Sequence, residues 1–151
     1  MTPIISLLLL LFHGLVSVAL LGAITHQLVS LLAPAPAGNN RFLSRYRRTH
    51  ASAYSRAVVA LYVFNFVLGS VLYPEYRLDA RYALEEMQMH TVVSAFELKE
   101  HWSAIGLCLL PIYLRQWNSA GSNARLSTIL LTTIVWFDFL VGHIINNYRG
   151  L

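Results

Sequence analysis

The sequence predicts an all-α fold, an integral membrane four-helix bundle formed by a single membrane domain over residues 1–151. Composition is the first observation behind it. Of the residues, 56% are hydrophobic and 12% are charged, whereas an ordinary soluble domain carries about 25% charged residues. The second observation is that the apolar residues gather into four stretches, at about residues 3–33, 57–73, 93–115 and 126–146. The third is that arginines collect beside these stretches, mainly in alternate loops.

The first stretch is long enough to cross a bilayer, which takes about 20 helical residues. A secretory signal would have a basic start and a shorter apolar core. Nothing before His13 is charged, so an uncleaved span is expected. Proline and glycine in residues 33–40 then break the helix, and a basic segment follows with Arg41, Arg45, Arg47, Arg48 and Arg56. The second span is expected to end at Pro74. Residues 75–89 are polar, and their second part, 80–89, is rich in helix formers. It is expected to lie at the interface or to extend the third helix outward. The third span is firmly apolar only over residues 102–114, about 20 Å of helix. To cross, it must take in residues that include Glu97, Lys99 and Glu100, and Pro111 predicts a kink. Residues 118–123 read as a turn before the fourth span.

The loop after span one carries five arginines and the loop after span three carries Arg115 and Arg125. The positive-inside rule puts those loops in the cytoplasm. The expected location is therefore the cell inner membrane, multi-pass, with N- and C-termini periplasmic or exterior. Basic residues placed beside hydrophobic spans read as a topology signal, so no nucleic acid partner is expected. Tyr73, Tyr76, Trp117 and Tyr148 read as interface anchors. Cys108 is the single cysteine, which excludes an intrachain disulfide. Its apolar neighbours predict an inert, buried thiol.

Ionisable groups within membrane spans are costly and mark function. The candidates are His13, His26, Glu97, Lys99, Glu100, His101, Asp138 and His143. At 1.5 Å per residue, His13 lies about 15 Å below the start of its helix. His101, Asp138 and His143 fall in the same outer half, and His26, with His50, belongs to the opposite end. A b-type haem needs axial imidazoles from facing helices and an apolar slot. The expected axial pair is His13 and His101, with His143 as substitute. Glu86 and Glu97 each precede a histidine, His90 and His101, by four residues, the spacing of a hydrogen-bonded helical pair. Glu97 is therefore expected to orient His101. A non-haem metal site would draw on Glu97, His101, Asp138 and His143. A quinone or proton site would use Glu97, Glu100 and His101. The plainer reading of Lys99, the only lysine in the chain, is an interfacial amine paired with neighbouring acids.

A histidine early in the first span, His13, and a lysine at the head of the third, Lys99, resemble the small four-helix membrane proteins of the HemJ-type protoporphyrinogen oxidase and CopD-like group. That resemblance implies haem or porphyrin binding within a helical bundle. The functional expectation is a membrane-embedded b-type haem protein or subunit in electron transfer near the periplasmic face. Its expected partners are lipid, other membrane subunits or a periplasmic cytochrome, and quinone. The alternative is a cofactor-free accessory subunit of a larger respiratory complex, and a third reading is a porphyrin-modifying enzyme.

Overall fold

The computed structural model describes residues 3–32, 51–119 and 123–148. The expected break at residues 33–40, the arginines up to Arg48, His50 and the centre of the expected 118–123 turn lie outside these. All regular structure is helical: α1 (Pro3–Leu32), α2 (Ala51–Glu75), a π-helical turn (Tyr76–Ala80), α3 (Arg81–Glu86), α4 (His90–Asn118) and α5 (Arg125–Tyr148). Three helical segments, Ile4–Leu32, Tyr54–Glu86 and Arg125–Asn146, are long and apolar enough to cross a membrane by length and composition. In hydrocarbon no water can satisfy backbone groups, so such segments must bond internally as helices. Hydroxyls obey the same demand. Ser17, Ser30, Thr132 and Thr133 each donate to the carbonyl four residues earlier on their own helix.

Side-chain bonds fix the topology. Ser6 near the start of α1 meets Glu75 at the end of α2, and Ser17 Oγ lies 2.9 Å from the Asn65 side-chain amide. Tyr62 on α2 donates to the Ser103 carbonyl on α4 at 2.9 Å. Ser103 donates to Asp138 on α5 at 2.6 Å, and Trp136 on α5 donates to Thr25 on α1 at 2.9 Å. The four long helices therefore run up and down in turn around a ring, with neighbours antiparallel. The first residues of α1, the last of α5 and the π-turn with α3 lie at one end, here called the terminal end. The opposite, loop end carries Leu32, Ala51, Asn118 and Arg125.

The core runs from mid-bundle toward the loop end, where Leu20, Ile24, Val58, Tyr62, Leu110, Tyr113, Leu131 and Val135 pack together. Lipid tails are as apolar as leucine, so close packing and hydrogen bonds hold such helices together. Gly106 shows how tight that packing is. A Cβ there would overlap the Tyr62 hydroxyl and come within 3.2 Å of Ile134 Cγ2. Apolar side chains such as Leu11, Leu15, Val67, Ile105 and Leu140 face outward and stay exposed.

Four expectations are corrected by the fold. Pro74 does not end the second helix. A proline in a helix removes one donor, and here the chain absorbs the loss by widening into the π-turn and continuing as α3. Residues 80–86 of the 80–89 region thus extend α2 and not α4. A tight turn at Met87–Met89, with Gln88 at φ 59°, separates α3 from α4, so Glu86 and His90 do not share a helix. His90 Nε2 instead meets Gln88 Oε1 at 3.2 Å. Cys108 is exposed on the bundle's outer face and is not buried.

Candidate functional site

A cavity of about 780 Å³ opens in the terminal half of the bundle, within the roughly 300–1,000 Å³ typical of ligand sites. Leu20, Tyr62 and Val135, all members of the mid-bundle core, form its inner limit. Each long helix sends polar groups into it. From α1 come His13 and Ser17, and from α2 Asn65, Tyr73 and Glu75. From α4 come Lys99, Glu100 and Ser103, and from α5 Asp138, His143 and Asn146. Phe66, Phe96 and Phe139 supply aromatic walls, and Tyr76, Asp79 and Ala80 of the π-turn border it.

His13 Nδ1 is buried with no hydrogen-bond partner. Its ring lies against α2, because a Cβ on Gly69 would stand 3.4 Å from His13 Cε1. The Ser17–Asn65 bond ties α1 to α2 one turn further along. Gly14 also lines the cavity, and a Cβ there would meet nothing within 4 Å. His143 stacks parallel to Phe139, with ring planes 3° apart and centroids at 6.2 Å.

Asp138 accepts the Ser103 hydroxyl on Oδ2, while its Oδ1 is buried and unpartnered. Lys99 Nζ sits 4.9 Å over the Phe96 ring, and its Cε would be 3.7 Å from a Cβ on Gly142. Among the described residues no carboxylate oxygen lies within 4.0 Å of Lys99; the ion pairs there are those of Arg81. The expected pairing of Lys99 with neighbouring acids is therefore not a contact ion pair, although Asp138 and Glu100 act on it through space.

At the terminal end Arg81 bonds Glu85 at 2.8 Å and Glu97 at 3.0 Å, which fastens α3 to α4. Tyr76 stacks on Phe96 with centroids 3.6 Å apart, fastening the π-turn to the same helix. Tyr73 and Tyr76, expected only as anchors, thus help to build the cavity wall. The sequence signal for Tyr76 would have been its place beyond Pro74 on a helix that does not stop there.

Of the expected site residues, His13 and His143 reach the cavity, together with Lys99, Glu100 and Asp138. His101 and Glu97 do not line it. His101 is exposed and its Nδ1 meets the backbone carbonyl of Glu97 at 2.7 Å, while the Glu97 carboxylate serves Arg81. The structure therefore does not bring His101 to His13, nor the Glu97 carboxylate to His101. His26 lies at the other end, tilted against Tyr54 at 5.5 Å. No group of three or more His, Cys, Asp or Glu among the described residues is arranged to hold a metal ion, so the four-residue non-haem set is not assembled. A haem asks for less, one or two imidazoles.

The fold and site define a helical bundle with candidate membrane-spanning helices around a polar, aromatic-walled cavity. No family model, curated protein or solved structure matches the chain.

Proposed function

We propose that the chain is a small membrane-embedded b-type haem protein that takes part in electron transfer near the periplasmic face, with His13 and His143 holding the haem. The convergence of His13 from α1 and His143 from α5 on one cavity carries this reading. A buried ring nitrogen that lacks a partner has given up water without compensation, as His13 Nδ1 has, and a bound group that engages the imidazole removes that deficit. The residues fit a flat, apolar group with polar edges. Phe66, Phe96 and Phe139 exclude water, and Gly14 and Gly69 keep the His13 side open. Phe139 orients His143 by stacking. A haem held there would supply one-electron chemistry at a potential set by its ligands and by the polarity around it. His13 and Lys99, the positions that carry the HemJ and CopD-like resemblance, share this cavity, which adds support.

In this reading α4 is the fourth span. Leu98, Trp102, Ile105 and Ile112 give it an exposed apolar face suited to lipid, while Glu97, Lys99 and Glu100 turn toward the cavity or α3. The arginine-rich loop end is cytoplasmic by the positive-inside rule, the membrane is the inner membrane, and the cavity opens toward the periplasm. A periplasmic cytochrome, quinol or a neighbouring membrane subunit is the electron partner. One observation favours the accessory-subunit alternative: α4 is not among the segments apolar enough to span alone, and a larger complex would shield it.

The test is the absorption spectrum of protein purified from haem-replete cells. Sharp visible bands on reduction are expected, altered by His13→Ala and by His143→Ala. A colourless preparation contradicts the haem reading, and bands unchanged in both variants contradict the ligand pair. A stable lone monomer after gentle extraction counts against the accessory alternative.

A further inference from the structure

We infer that Lys99 is the receptor for a carboxylate carried by an amphiphile bound in the cavity. Lys99 is the chain's only lysine, and α4 turns it inward nine residues from its start at His90. Its ammonium rests on the Phe96 ring and beside Gly142, with no carboxylate oxygen within 4.0 Å among the described residues. Asp138 shares the cavity, yet its Oδ1 is buried without a partner. Asp138 and Glu100 act on the ammonium through space, but neither comes within ion-pair distance of it. Removing a charge from water without pairing it is costly, and a ligand anion at Lys99 offsets that cost.

The charge of the ligand group follows from the rest of the lining. Glu75, Asp79, Glu100 and Asp138 border the same cavity, so a multiply charged phosphate meets repulsion that one ammonium does not balance. A singly charged carboxylate meets less of that repulsion and can be matched by the one ammonium. Leu7, Leu10, Leu20, Phe66 and Val135 line the remainder and accept an apolar body. A tetrapyrrole propionate and a fatty acid share this chemistry. The inference goes beyond the haem reading, because it holds whether or not His13 binds iron.

The test uses the full chain in detergent, made in haem-deficient cells. Metal-free protoporphyrin IX and its dimethyl ester are titrated by fluorescence, with palmitate and hexadecanol as competitors. A hydrogen bond to a charged group corresponds to roughly a tenfold to hundredfold preference for the acid over the ester. Lys99→Met should erase that preference while binding the ester as the unaltered chain does, and Lys99→Arg should keep it. His13→Ala should also keep it, which separates this inference from the haem reading. Competition by palmitate and not by hexadecanol extends the site to lipid acids; acid preference without such competition confines it to tetrapyrroles. Equal affinity for acid and ester, an unchanged preference in Lys99→Met, or binding of neither porphyrin overturns the inference.

Discussion

The two ends of the bundle are both polar, and they use polarity in opposite ways. At the loop end uncharged groups meet one another. Tyr113 and Gln27 are almost wholly buried and share a hydrogen bond. Trp117 donates to Thr128 at 3.0 Å, and Thr128 donates to the Ala124 carbonyl at 2.7 Å. Among the described residues Gln27 Nε2 is also buried there without a hydrogen-bond partner. At the terminal end the groups are ionisable, they face a cavity, and His13 Nδ1 and Asp138 Oδ1 are buried without partners. Polar content alone therefore does not mark a site in such a bundle; polar groups left incomplete around open space do. The loop end reads as glue between helices, and the terminal end as a place where stability is given up for binding.

The largest expected effect lies between the two ends. Gly106→Leu forces a side chain into the Tyr62 hydroxyl and Ile134, and overpacking of this kind costs about 1–3 kcal/mol or more. Thermal unfolding in detergent should show a much lowered midpoint. Gly106→Ala should be milder, and combining it with Tyr62→Phe should recover part of the loss.

The contrast between ends is sharpened by a pair of near-isosteric changes with opposite signs. Thr128→Val leaves the Trp117 N–H unpaired and should destabilise by about 1–2 kcal/mol. Asp138→Asn keeps an acceptor for Ser103 and removes a buried carboxylate whose Oδ1 has no hydrogen-bond partner, and it should be neutral or stabilising by about 1 kcal/mol. If both lower the midpoint equally, the two ends are not different in kind. Tyr113→Phe, which strips the bond from Gln27, should cost about 0.6–1.7 kcal/mol, the range for such bonds within membranes. Arg81→Ala should do least. Its partners are partly exposed, and exposed ion pairs contribute about 0–1 kcal/mol.

Helix content and the depth of each candidate were legible in the sequence, because rise per residue converts position into height. Depth put His13, Asp138 and His143 in one layer, and the structure brings those three to one cavity. Rotation about the helix axis was less legible. On α4, Lys99 and His101 are two positions apart, about 200° of turn, so only one of them can face inward. In the polar half of this helix only Val93 and Phe96, six and three positions before Lys99, mark the inward face. The decision comes from residues further along: Lys99, Ser103, Gly106, Leu110 and Tyr113 recur at spacings of three and four, and these are the positions that meet the cavity or the core. His101 and Glu97 fall off that face. The run past Pro74 was hidden for another reason. A proline removes one donor, and a sequence does not reveal whether a π-turn will accommodate it.

The most direct measurement compares one histidine from each end. His13→Ala and His26→Ala are purified from haem-replete cells beside the unaltered chain, and reduced-minus-oxidised absorption spectra are recorded at equal protein concentration. Haem bands present in the unaltered chain, kept by His26→Ala and lost or shifted in His13→Ala, are the expected result. Bands absent from the unaltered chain, or equal in all three proteins, would contradict a haem site at the terminal end.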